Sequence, residues 1–137
     1  DHAAQGALLA PFDAQCAAAP LLRAFTRWDS AHFLNVAQHG WRHDWNYAFF
    51  PLYPLLLRAA ANVLRPLTAS TLCPLEHLVL GGVLLSNAAF VLAACCLYAL
   101  GVEVVRDRAH ARAAALLFCI SPSSVFFSSL YSESAFA

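Results

Sequence analysis

The sequence predicts an all-α polytopic membrane protein, and three observations carry that prediction. Of 137 residues, 61% are hydrophobic and only 12% charged, about half the charged fraction of a soluble domain. The stretch 78–102 contains no charged residue, and at about 1.5 Å per helical residue it is long enough for a hydrocarbon core of about 30 Å. A second run, 113–132, is also uncharged and also of spanning length. The formal net charge is zero, so there is no basic footprint of the kind that nucleic-acid binding leaves. The chain opens on Asp1 and closes at Ala137 inside an apolar stretch, and it reads as a segment of a longer protein.

Two regions follow. Residues 1–77 form a polar and aromatic loop region, and residues 78–137 form two transmembrane helices, about 78–102 and 113–132, joined by the loop 106–112. In the first region, Ser30 to His39 reads as a short helix. Asp29 or Ser30 can cap its start and Gly40 stops it. Phe33, Val36 and Ala37 share its apolar face, while Asp29, His32, Asn35 and His39 make a polar stripe. Further on, Pro51 and Pro54 interrupt an apolar segment too short to span. Pro54 can open a second helix, in which Arg58, Asn62 and Arg65 recur opposite Leu55, Leu56, Ala59 and Val63. Pro66 ends it. This pattern predicts an amphipathic helix in the membrane interface, with Trp41, Trp45, Tyr47 and Tyr53 at headgroup level.

Within 78–102, Gly81, Gly82, Ser86, Asn87 and Gly101 suit close helix packing, and Asn87 should face protein. Pro122 should kink the second run, with Ser121, Ser123 and Ser124 satisfying the carbonyls that it frees. Between the runs, Arg106, Arg108 and Arg112 mark a cytoplasmic loop. Residues 1–77 and Glu133 then fall on the opposite side. Cys95, Cys96 and Cys119 read as small buried hydrophobes. Cys16 and Cys73 form a disulfide if their region meets an oxidising lumen and are free thiols otherwise.

The chemistry gathers around Asp29. Transfer of a sugar from a lipid phosphate to a hydroxyl has an anionic leaving group that needs little protonation. The acceptor hydroxyl must lose a proton, so one carboxylate near the membrane surface suffices as general base, where glycoside hydrolysis needs two. The simpler role for Asp29 is a helix cap, and the two are compatible. Arg27, His32, His39, Arg42 and His43 are cations or potential cations that can bind a donor phosphate or remain solvated. Trp28 can stack on a sugar. Glu133 can bind acceptor hydroxyls, orient Arg27, or mark the end of a span. His32, His39 and His43 lack the spacing of a zinc site, and no metal is expected. No P-loop, GxGxxG, GxSxG or DxD pattern occurs, which favours a lipid-phosphate donor over a nucleotide donor.

In order along the chain, Trp28-Asp29-Ser30-Ala31-His32-Phe33-Leu34, Ala37-Gln38-His39-Gly40, Ala48-Phe49-Phe50-Pro51 with Pro54, and Leu64-Arg65-Pro66-Leu67 closely resemble the PIG-V family of GPI mannosyltransferases. Ala115-Leu116-Leu117-Phe118-Cys119, Ser121-Pro122 and Tyr131-Ser132-Glu133 extend the resemblance across nearly the whole chain. It implies a GT-C type fold in the endoplasmic reticulum membrane, with residues 1–77 luminal. It implies transfer of the second mannose, α-1,6-linked, to a GPI precursor. Dolichol-phosphate mannose would be the donor, with no further cofactor and a membrane partner subunit conceivable. Asp29 would be the base, and Arg27, Trp28, His32, His39 and Glu133 would bind substrate. Alternatives are another lipid-phosphate-sugar transferase of this architecture, or a non-catalytic transporter or subunit. This segment is expected to be inactive by itself.

Overall fold

The computed structural model describes residues 25–26, 29–42, 44–48, 50–68 and 72–136. Every regular element among them is helical. In order these are α1 (Asp29–His39), a 3-10 turn (Asp44–Ala48), α2 (Leu52–Leu64), α3 (Pro74–Val105), α4 (Arg108–Ile120), α5 (Ser124–Phe127) and α6 (Glu133–Phe136). The chain divides into two compact units, Asp1–Leu85 and Ser86–Ala137. The division falls inside α3 because the early residues Leu75, Leu78 and Val79 are buried.

The first unit is built on α1 against α2. Phe33, Leu34, Val36 and Ala37 of α1 are buried, as the apolar spacing requires. Gly40 ends the helix in the left-handed region at φ +78°, and its N–H donates to Val36 O at 2.9 Å. A side chain there would be strained whatever the space around it.

Across from α1, α2 buries Tyr53, Leu57 and Ala61, one stripe at spacing i, i+4, i+8, together with Pro54. This corrects one expectation, the place of Tyr53. The apolar set Leu55, Ala59 and Val63 points outward, because the stripe that meets α1 claims the inner face. Tyr53 is 2% exposed, and its ring packs edge-on against Phe33 at 4.9 Å, so it is a core residue and not a headgroup anchor. Tyr47 is exposed. The helix also starts earlier than its proline suggests. Pro54 sits in the first turn, where a missing N–H leaves no broken bond.

Arg58 was expected on a solvated stripe. Its Nε donates to Ala37 O, and its Nη2 donates to Gln38 O at 3.4 Å. A guanidinium thus satisfies carbonyls left open at the C-terminus of α1 and complements that helix's dipole. Arg58→Ala should destabilise the α1–α2 pair by about 1 kcal/mol, with the partly exposed position holding the loss down. Arg58→Lys should recover only part of it, because an ammonium lacks the fork that reaches two carbonyls. Thermal unfolding of the purified full-length protein reads both variants.

The entry to α3 is closely tied. Pro74 opens the helix, and Glu76 Oε2 accepts from Cys73 N–H at 2.8 Å, half of a capping box. His77 is buried. Its Nδ1 meets Cys73 O at 3.0 Å and its Nε2 meets Thr68 Oγ1 at 2.8 Å, while Thr68 Oγ1 also donates to Leu64 O at 3.0 Å. The end of α2 and the start of α3 are joined through this one ring. Gly81 then lets the helices touch, since an added Cβ would meet Ala61 N at 3.0 Å and Ala60 C at 3.2 Å.

Over its 32 residues α3 is long and apolar enough to cross a membrane. In the second unit α3 and α4 run antiparallel, as Gly101 lies against Ala111 and Phe90 against Phe118. Asn87 faces protein, donating from Nδ2 to Ser128 O at 3.3 Å. Cys95 and Cys96 are exposed and not buried as expected.

The expected kinked span over 113–132 is instead broken. α4 ends at Ile120, and Ser121 adopts ψ 141°. A following proline disfavours helical backbone at the residue before it, and Pro122 lacks an N–H to continue the ladder. The serines bond one another more than the freed carbonyls. Ser121 Oγ lies 2.6 Å from Ser123 Oγ and accepts from Ser123 N–H at 3.3 Å. Phe90, Phe118 and Phe127 pack together at the break with centroids 5.2–5.4 Å apart.

Candidate functional site

Asp29 is exposed in the first turn of α1. The N-terminal end of a helix carries partial positive charge and unpaired N–H groups, so a carboxylate is favoured there. Among the described residues that carboxylate has no hydrogen-bond or ion-pair partner. The helix that holds it is fixed from below by Leu34, Val36 and Ala37, each at most 2% exposed. A rigid, buried underside with an acid at its exposed start is a suitable mount for a proton acceptor.

His32 lies one turn on, half-buried, and shares the face of Asp29. Asn35 continues that face. His39 is exposed in the last turn, about 15 Å along the axis from Asp29 at 1.5 Å per residue. The structure therefore brings Asp29 and His32 together and sets His39 apart, at the end where Arg58 meets Ala37 and Gln38. Arg27, Trp28 and His43 lie outside the described residues. Glu133 is exposed at the start of α6 and belongs to the second unit. No three His, Cys, Asp or Glu side chains converge as a metal set among the described residues.

Two features escaped the sequence. Arg58 braces the helix that carries Asp29, and only its partner carbonyls, about 20 residues away in the chain, reveal this. Glu76 and His77 tie the loop region to the membrane helix. The Glu at the third helical position after Cys73 is a legible capping signal, whereas the contact of His77 with Thr68 is not. Cys73 is engaged in a disulfide, and Cys16 lies outside the described residues.

Asp107 is the other acid with a defined role. It caps α4, accepting from Ala109 N–H at 2.8 Å and pairing with His110 Nδ1. The hydrogen bond from His110, then that from Ala109, holds its carboxyl below the usual 3.8. A depressed folded-state value stabilises the fold above the unfolded one and is lost as pH falls through the folded one. At neutral pH Asp107→Asn should therefore melt slightly below wild type, and the gap should close as pH falls below the ordinary carboxylate range. A pH series of thermal melts checks this.

A family model described as Mannosyltransferase (PIG-V) matches residues 4–137. The chain is 46% identical over 118 residues to mouse GPI alpha-1,6-mannosyltransferase 2, covering 85% of this chain and 24% of that protein. The human protein of the same name is 41% identical over 117 residues, with the same coverage. GPI mannosyltransferase 2 of Drosophila pseudoobscura pseudoobscura is 34% identical over 120 residues, covering 85% of this chain and 25% of that protein. The chain thus spans about a quarter of the length of these curated relatives. No solved structure matches it.

Proposed function

Because the chain belongs to the PIG-V mannosyltransferase family, we propose that it supplies the catalytic loop of an endoplasmic reticulum enzyme that adds the second, α-1,6-linked mannose to a GPI precursor from dolichol-phosphate mannose. The observation that carries this reading is Asp29, an exposed carboxylate on a rigid helix two connections before the membrane helix α3. In the reaction the acceptor oxygen attacks the mannose anomeric carbon as the bond from that carbon to the phosphate oxygen breaks. The electron pair leaves with the lipid phosphate, the acceptor proton passes to Asp29, and the anomeric configuration inverts. The leaving group needs no acid, so a single carboxylate serves.

In this reading Arg27 and His32 bind the donor phosphate by charge, Trp28 stacks on the sugar, and His39 and Glu133 bind substrate. No metal or soluble cofactor takes part. Supporting the luminal placement of residues 1–77, Cys73 is disulfide-bonded, which suits an oxidising compartment, and the arginines 106, 108 and 112, which lie in the α3–α4 connection and the first turns of α4 and not in a loop 106–112, suit the cytoplasmic end of these helices. The outward Leu52, Leu55 and Val63 of α2 suit a helix lying in the luminal interface.

Expression of the full-length gene in cells lacking the second GPI mannosyltransferase tests this. Surface display of a GPI-anchored reporter should return. Failure to restore it by a well-expressed protein that still transfers mannose from dolichol-phosphate mannose to another acceptor would assign a different acceptor, and failure in both assays would remove the enzymatic reading.

A further inference from the structure

His77 is a buried titratable side chain that the transfer reaction does not use. Its ring bridges two segments of the first unit. Nδ1 lies 3.0 Å from Cys73 O, and Nε2 lies 2.8 Å from Thr68 Oγ1. A carbonyl oxygen only accepts, so Nδ1 carries the ring proton and Nε2 takes the hydroxyl proton of Thr68. That hydroxyl is also 3.0 Å from Leu64 O, but Leu64 O already accepts Leu67 N–H and Thr68 N–H, each at 2.9 Å. Among the described residues Nε2 has only the hydroxyl, and in a buried ring its loss leaves a polar atom unpaired.

This bond is one of two places where α2 and its C-terminal turn meet α3. The other is the close approach of Gly81 to Ala60 and Ala61. Gly81 follows His77 by four residues, so the two places lie about 6 Å apart along α3. Two such points fix the angle between the helices, whereas Gly81 by itself leaves a pivot. Beyond that pivot α2 carries α1. Tyr53 precedes Ala61 by about 12 Å along α2, its ring packs on Phe33, and Asp29 lies one turn before Phe33 on α1. A rotation of about 5° at Gly81 therefore moves this end of α1 by about 1 Å, a displacement that can cost a reaction as much as about 10²-fold.

The donor is a membrane lipid in the proposed reaction, so the membrane helix is the frame in which the base must be placed. We infer that His77 and Thr68 are positioning residues for mannose transfer: the bond between them sets the angle of α2 on α3 and, through α1, the place of the Asp29 carboxylate. The inference rests on the proposed role of Asp29.

The test compares variants of the purified full-length protein. Thr68→Val removes the hydroxyl at nearly constant size. His77→Asn keeps a donor for Cys73 O and falls short of Thr68. Thr68→Ser keeps the hydroxyl, and His77→Gln places an amide oxygen near the Nε2 position as its acceptor. Thr68→Val and His77→Asn should each lower the melting temperature, and the double variant should melt no lower than the weaker single one, because the same bond is lost once. Well below the melting transition both should lower kcat by about 10- to 100-fold while the KM for dolichol-phosphate mannose stays within about twofold. Thr68→Ser and His77→Gln should transfer within about threefold of wild type. If the His77 variants do not fold, Thr68→Val against Thr68→Ser decides the kinetic point. Additive melting shifts would overturn the bond as the link. Undiminished kcat in Thr68→Val beside an active wild type would overturn the positioning role and leave a purely structural contact. A wild type that transfers mannose to no acceptor would instead overturn the reading of Asp29, and the inference with it.

Discussion

Asp29→Asn in the full-length protein should lower mannose transfer by about 10²- to 10⁴-fold, the usual contribution of a positioned general base. Asparagine matches aspartate in shape and remains a favourable residue at a helix start. It does not take up a proton at neutral pH. The variant therefore separates the two roles that the position permits. If Asp29 serves only as an acid at the start of α1, transfer stays within a few-fold of wild type, because asparagine is tolerated there. If it accepts the acceptor's proton, kcat collapses while the KM for dolichol-phosphate mannose holds, since the lost interaction forms only as the bond forms. Asp44→Asn is the matched control. Asp44 is also exposed at the start of a helical turn in the same loop region, and it should change transfer by less than about threefold. Activity in Asp29→Asn above roughly a tenth of wild type would remove Asp29 from the chemistry, a conclusion that needs unfolding temperatures of the two variants to agree.

Gly81→Ala should destabilise the protein by about 1–3 kcal/mol, the usual penalty for overpacking. The sign is informative, because glycine to alanine inside a helix otherwise stabilises by up to about 1 kcal/mol. Here the new Cβ would stand 3.0 Å from Ala61 N and 3.2 Å from Ala60 C. Both are backbone atoms in α2, so relief requires moving the whole helix, and α2 carries the Tyr53, Leu57 and Ala61 stripe that supports α1. Gly101→Ala provides the contrast. Its Cβ would meet Ala111 Cβ at 3.0 Å and Ala111 Cα at 3.2 Å, so the second change Ala111→Gly should recover part of the loss. No side-chain change at Ala61 should rescue Gly81→Ala. Melting curves of the four variants decide it. A neutral or stabilised Gly81→Ala would mean that α2 and α3 are not in backbone contact there. Since α2 underlies the Asp29 helix, Gly81→Ala should also lower transfer activity near the melting transition while leaving donor KM unchanged below it.

Several features were legible from residue order alone because they rest on local rules. Apolar periodicity marks the buried face of α1, Gly40 ends it with a left-handed residue, and the uncharged stretch after Leu78 forms the membrane-length α3. Asn87 turned toward protein for the reason a polar side chain at membrane depth must, and its partner is a backbone carbonyl at Ser128. The break at Pro122 is equally local in cause, but its severity was not. A proline permits a kink or a full stop, and the choice fell to the Phe90, Phe118 and Phe127 cluster together with the serine turn.

The α2 helix shows where local rules stop. Its sequence offers two apolar stripes, one through Leu55, Ala59 and Val63 and another through Tyr53, Leu57 and Ala61. Periodicity does not rank them. The second is buried because α1 presents Phe33 and Leu34 to it, and once it turns inward Arg58 falls within reach of the open carbonyls of α1. The sequence by itself determined the helical class, the membrane-length helix, the family, and the acid at the head of α1, since these follow from composition, length and short-range pattern. Tertiary structure alone decided which face of α2 is core, the bracing of α1 by Arg58, and the contact of Gly81 with α2. Each of those depends on which two segments meet, and the energy of that meeting belongs to neither segment separately.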